Sequence, residues 1–187
     1  ANPPGLRHSL GDSVDYDPST NTYSENFNGS HSPILAWAAD GFPIYGPYGY
    51  DDPNNPGSAV RRMIPGYAKR SINNRTTLPQ WAADFQNKSA SLPANEYGPP
   101  VNATYIIGHY IEDYEFLGTG DLDLYNGRTC ITPEFPTGTY AYFVTIEADG
   151  TPAFPYAIGR EYYGDPTGGT VNNINEAVTI QFEGGPE

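Results

Sequence analysis

Residues Thr139 to Ile146 read Thr-Tyr-Ala-Tyr-Phe-Val-Thr-Ile, and this segment most limits what the chain can fold into. β-Branched and aromatic residues fill it, which favours a strand. Alternate residues of a strand share a face, so Tyr140, Tyr142, Val144 and Ile146 lie on one side and Ala141, Phe143 and Thr145 on the other. Both sides are mostly apolar, as expected of a strand covered on both faces at the centre of a sheet. The rest of the chain must therefore supply neighbours for it. Ala148-Asp149-Gly150-Thr151 reads as a turn, and residues 153–158 read as its return strand.

Other strand signals are shorter. Ile34 to Ala39 is an apolar run between Pro33 and Asp40-Gly41, which predicts a buried strand. Residues 104–111 (Thr-Tyr-Ile-Ile-Gly-His-Tyr-Ile) predict another. Thr77-Leu78-Pro79-Gln80 has capping-box spacing, and Trp81, Ala82 and Phe85 fall near helical spacing, which predicts one short helix over 78–88. Between these segments lie 21 glycines and 19 prolines. In Gly41 to Tyr50 they alternate with aromatics, where Gly permits positive φ and Pro fixes φ. Residues 1–30 read as polar loop with short extended pieces, and 51–75 as polar loop. The fold class expected is mostly β: a sandwich-like single domain over 1–164 with one short helix and long Pro/Gly loops. Residues 164–169 form a linker-like break, and 165–187 form a linker followed by a tail strand. In that tail Val178, Ile180 and Phe182 alternate with Ala177, Thr179 and Gln181, a one-sided pattern.

The charge balance is 9 basic against 22 acidic residues, a net −13. Phosphate binding needs clustered Lys and Arg, so nucleic acid is not an expected partner. No run of about 20 apolar residues is present, so no membrane span is expected either. The chain opens on Ala1 rather than Met, and a segment removed upstream would fit export. Cys130 is the single cysteine. It sits among β-branched residues and reads as a small buried hydrophobe.

Four N-x-S/T acceptor sites occur, at Asn28, Asn74, Asn87 and Asn102, against about two expected by chance from this composition. All fall in segments read as loop or loop edge, as glycan attachment requires. An extracellular glycoprotein carrying N-linked glycans, secreted or at a cell surface, is therefore expected.

Signals for chemistry are weaker. His8, His31 and His109 show no metal-ligand spacing. Asp121-Leu122-Asp123-Leu124-Tyr125-Asn126-Gly127 resembles a calcium loop with one residue too many and no Glu at the twelfth place. The carboxylates Glu112, Asp113, Glu115, Asp121 and Asp123 could supply a glycosidase pair. No Ser-His-Asp, phosphate-loop or zinc signature appears.

The segments His31-Ser32-Pro33-Ile34, Asp40-Gly41-Phe42-Pro43-Ile44-Tyr45-Gly46-Pro47-Tyr48-Gly49, Glu112-Asp113-Tyr114, Asp121-Leu122-Asp123, Asn126-Gly127-Arg128 and Phe154-Pro155-Tyr156-Ala157-Ile158-Gly159 resemble the YHYH-domain proteins. The match runs over roughly residues 2–164. The resemblance implies a secreted or surface domain and says more about fold and location than about function. In the family a Y-H-Y-H element stands near the later strand, and here that place holds Tyr140-Ala141-Tyr142-Phe143. A second such element precedes an Asn-Pro segment in the family, whereas here Asn2-Pro3 opens the chain.

A domain that begins inside the family's pattern and carries a spare one-sided strand has the parts for strand donation. Head-to-tail donation makes a filament when it does not close. The leading expectation is thus a non-catalytic structural subunit that polymerises with copies of itself into a fibre, with Val178, Ile180 and Phe182 as the anchors. The same strand could instead fold back onto its own domain. A ligand- or cation-binding module is the first alternative. Its site would gather Asp40, Tyr45, Asp121, Asp123, Asn126 and Arg128 around a calcium ion or another ligand. A hydrolase using paired carboxylates is the second.

Overall fold

The structure is a computed structural model, and it describes residues 2–166. Along the chain run α1 (Pro4–Ser9), β1 (Val14–Asp17), β2 (Thr22–Glu25), β3 (Ile34–Trp37), β4 (Pro43–Tyr45), β5 (Tyr48–Tyr50), β6 (Val60–Arg62), β7 (Tyr67–Lys69), α2 (Gln80–Gln86), β8 (Tyr114–Phe116), β9 (Gly127–Cys130) and β10 (Thr139–Phe143). The class is mostly β, as the sequence predicts. Gly and Pro stand close to many of the short strands and limit them; β10 itself ends at Phe143, before Val144-Thr145-Ile146.

β10 stands inside a four-stranded mixed sheet of order β3-β4-β10-β9. It runs parallel to β4, pairing Tyr142 with Ile44 and Phe143 with Tyr45. It runs antiparallel to β9, with Ala141 opposite Arg128. Both faces are covered, as its composition requires. On one side Ala141 and Phe143 pack with Tyr45, Met63, Leu122 and Cys130. On the other, Tyr140 and Tyr142 pack with Ala38, Phe42, Ile44, Tyr125 and Ile158. Three two-stranded ribbons, β1-β2, β5-β6 and β7-β8, flank this sheet.

Four sequence expectations need correction. β3 forms, but at the edge of the sheet, with a register shift between Ile34 and Ala36. Trp37 is 59% exposed there, so the apolar run marked a strand correctly and its burial wrongly. Residues 104–111 are bends and turns rather than a strand. Their carbonyls are taken by a side chain: Arg75 donates to Tyr105 O and Ile106 O. Residues 153–158 form no strand: the turn closes by an isolated bridge of Ile146 with Pro152 and by bonds of Thr145 N to Tyr156 O and Ala153 N to Thr145 O, because Pro152 and Pro155 offer no ladder donor. The helix expected at 78–88 is α2, but no side chain caps it. The Thr77 hydroxyl that would do so accepts from Arg70 instead, at 2.6 Å.

α1 is an addition within the expected N-terminal loop. Pro4 supplies its first turn, where the missing N–H costs nothing. Its Arg7 is fully buried. Arg7 donates to Asp12 at 2.6 Å and to Asn2 at 2.9 Å, and it pairs with both oxygens of Glu25. Arg75 plays the same part for residues 97–113. Its Nε and one terminal nitrogen grip Asp113 at 2.7 and 2.8 Å, and it also donates to Pro99 O. Arg61 ties β6 to Asp121 with two bonds of 2.7 Å. Segments too rich in Gly and Pro to form ladders are thus fastened by arginines, whose planar fork meets carboxylates and carbonyls with little further ordering. The tail strand expected at Val178, Ile180 and Phe182 lies outside the described residues.

Candidate functional site

The two tyrosines of β10 that share a face hold the place where the described chain ends. Tyr140 donates to Asp123, 3.0 and 3.1 Å from its two oxygens. Tyr142 donates to Asp40 at 2.6 Å. Burial, followed by the neighbouring carboxylate, raises both phenols well above their ordinary value, so both stay protonated as donors. Onto this pair comes Tyr163. Its backbone N–H donates to Tyr142 Oη at 2.7 Å, and its ring stacks on that of Tyr140 with Phe42 and Tyr125 edge-on. Gly164 N donates to Asp40 Oδ2 at 2.9 Å. A Cβ at 164 would meet Phe42 at 3.0 Å and Asp40 at 3.2 Å, so the close approach favours glycine.

Asp40 lies in the turn between β3 and β4. The last described residues therefore lie beside the turn that follows β3, an edge strand. Sequence reasoning selected Asp40 and Asp123 but missed Tyr163 and Gly164. A Tyr-Tyr-Gly just before the linker was their only signal.

The opposite face of β10 carries a different group. His31 packs against Tyr45, Tyr50 and Phe143 with ring centroids 5.1, 4.9 and 6.0 Å away. Burial lowers its pKa. Tyr45 Oη lies 2.8 Å from both Thr132 Oγ1 and Glu134 Oε2. Arg128 reaches Tyr50 O and sits over the Phe143 ring.

The six residues expected to form one ligand or cation site are thus dispersed. Asp40 and Asp123 lie on one face, and Tyr45 and Arg128 on the other. Asn126, with φ at 67°, bonds Phe143 O and Ala157 O. Asp121 is tied to Arg61 and to Ile64 N; against a burial that would raise its pKa, these donors hold it below the usual carboxylate range. Among the described residues no group of three or more His, Cys, Asp and Glu side chains is placed to hold a metal ion. The expected hydrolase carboxylates are not gathered either: Asp113 serves Arg75, Asp121 serves Arg61, and Asp123 also accepts from Tyr125 N and Gly127 N. Of these groups, Asp40 Oδ1 alone among the carboxylates is buried without a partner among the described residues.

All four acceptor asparagines are exposed and lie outside strands. Three of them, Asn74, Asn87 and Asn102, fall within residues 73–102. There Leu92 N bonds Thr76 O, Gly98 N bonds Arg75 O and Val101 N bonds Asn73 O. Asn28 stands apart, beside Ser13. No helix among the described residues is long and apolar enough to cross a membrane.

A family model described as YHYH protein matches residues 8–155. No curated protein and no solved structure matches the chain. In a Y-H-Y-H element laid on β10, the two histidines would fall at 141 and 143, on the face that carries His31. Here Ala141 and Phe143 fill that space.

Proposed function

The chain belongs to the YHYH protein family, and from that premise we propose that it is an extracellular, non-catalytic glycoprotein, a structural subunit that polymerises head-to-tail into a fibre. Its C-terminal strand, through Val178, Ile180 and Phe182, would add to an open sheet edge of a neighbouring copy. The observation that carries this reading is the anchored exit. Tyr163 and Gly164 are fixed to Tyr140, Tyr142 and Asp40, so the described chain ends at a defined point beside the turn after β3, and the tail strand would continue from there. β3 itself ends one side of the sheet, and an edge strand presents unpaired backbone groups to an added strand. The four exposed acceptor asparagines support the extracellular part of the reading, and the paired state of Asp113, Asp121 and Asp123 supports the absence of catalysis.

The test compares the full chain with a version ending at Asp165, by light scattering and electron microscopy. Filaments or ordered oligomers from the full chain alone support donation. Two identical folded monomers would rule it out.

A cation- or ligand-binding module is the second reading, and one observation favours it: the buried, unpartnered oxygen of Asp40. Its test is thermal melting with calcium and with chelator. A calcium-dependent rise that Asp40→Asn removes would support it.

A further inference from the structure

Phe85 is 67% exposed, the most exposed of the large apolar side chains among the described residues. One of its faces is in use. The Arg160 guanidinium carbon lies 4.2 Å from the ring centroid of Phe85 and 4.2 Å from that of Trp81. The rest of the ring is open to water, which disfavours apolar surface. It forms part of the wall of a groove of about 270 Å³ that also takes in Trp81, Leu124, Arg160 and the carboxylates Asp84 and Glu161.

Two residues after Phe85 stands the acceptor Asn87. It closes α2 in the left-handed region, at φ 49°, with Lys88 N bonded to Ala83 O at 2.9 Å and Asn87 N to Asp84 O at 3.1 Å. This is a helix C-terminus in which the chain turns back on itself. The asparagine therefore leaves the helix at the end that Phe85 crowns, and it is exposed. No other acceptor shares this arrangement: the residues two places before Asn28, Asn74 and Asn102 are Asn26, Ile72 and Pro100.

We propose that the first N-acetylglucosamine on Asn87 lies against the open face of Phe85, so that the glycan at this position completes the surface of the domain. The inference rests on the glycoprotein reading above and names a packing partner for one of its glycans. A pyranose has a face of axial C–H bonds, and an aromatic ring is negative on its face. The two attract while water leaves both. Around the ring, Asp84 and Glu161 offer acceptors for sugar hydroxyls. Arg160 lies over one face of Phe85, which steadies the ring before the sugar arrives.

The full chain is produced in a eukaryotic secretory host, and occupancy at each acceptor is read by peptide mass spectrometry. Melting is then compared for the intact glycoprotein, for material trimmed to a single N-acetylglucosamine, and for Asn87→Gln. The same series is run on Phe85→Ala, so that the lost Arg160 contact cancels in the difference. The expected result is a gain of about 2–4 °C from the sugar on Asn87, kept with one residue of sugar and absent in Phe85→Ala. Upfield ring-current shifts of that sugar's protons, lost in Phe85→Ala, are expected in parallel. Occupied Asn87 with the same gain in both backgrounds and unshifted sugar protons overturns the inference, as does an empty Asn87 beside occupied partners; both leave the glycoprotein reading standing. If all four acceptors are empty, the glycoprotein reading falls and the inference falls with it.

Discussion

The ring of Tyr163 lies on that of Tyr140, with centroids 3.7 Å apart and planes 5° from parallel. Residues 163 and 140 belong to different parts of the chain, and this stack joins the central strand to the last described residues. Truncation by Tyr163→Ala should cost about 1–2 kcal/mol, the worth of an aromatic pair plus part of its burial. Urea unfolding of the full chain measures it. In the donation reading the same change should also loosen filaments, visible as variable subunit spacing by electron microscopy. Unchanged stability would show that the contact is incidental.

Arg75 and Asp113 give a second, larger expectation. Both are buried, and Asp113 also accepts from Gly108 N and Tyr110 N. Removing one partner of a buried pair leaves the other charge uncompensated, at about 3–5 kcal/mol. Asp113→Asn should therefore destabilise strongly. The exposed pair Lys88–Glu96 should tolerate Glu96→Gln with a change of about 0–1 kcal/mol. Equal losses at both sites, by chemical denaturation, would contradict the role given to Arg75.

Acid should act in two stages. Burial lowers the pKa of His31 from its ordinary 6.5. The unfolded chain then takes up a proton before the folded one does, so stability held above pH 6.5 declines as pH falls through the depressed value. Asp113 and Asp121 also have lowered values, against an ordinary 3.8. Their contribution is present above that value and is lost further down as pH falls. His31→Phe should flatten the upper stage and leave the lower one. Melting temperature between pH 7 and 3 reads both, and an unchanged upper stage in the variant would remove His31 from the explanation.

The face of β10 that carries Ala141 and Phe143 leads to a gain-of-function test. Phe143 lies 6.0 Å from His31, and Ala141 shares its cluster. The double change Ala141→His, Phe143→His should place three imidazoles on one face. Zinc takes such nitrogens at about 2.0–2.1 Å. The variant should melt higher with zinc than without it, and a further His31→Ala should abolish the difference. The parent serves as the baseline, and no zinc effect in the variant would mean that the three positions do not converge.

How far the sequence reveals the fold depends on what holds each part. β10 was legible because its two apolar faces demand cover on both sides, whatever supplies it. β3 was legible as a strand but not as an edge, since composition reports pleat preference and is silent about how many neighbours a strand finds. Residues 104–111 carry the composition of a strand, and Arg75 overrules it by taking the carbonyls that a ladder would use. No local pattern discloses this, because Arg75 and Asp113 are 38 residues apart. Arg61 and Asp121 are 60 apart. In the candidate site, Asp40 and Asp123 were legible as carboxylates in turns. Their phenol partners Tyr140 and Tyr142 looked like core, because a buried tyrosine's hydroxyl partner is set by tertiary packing.

The loop over 97–113 is long and irregular, the kind of segment usually first to be cut by a protease. Arg75 holds it at Pro99, Tyr105, Ile106 and Asp113. A protease must draw several consecutive residues into an extended shape, and here the loop is tied near its start, its middle and its end to the same buried guanidinium. An opening that releases Arg75 should therefore free the loop for cleavage at all of these points together, so its lifetime in a digesting environment should follow that event more than its exposure.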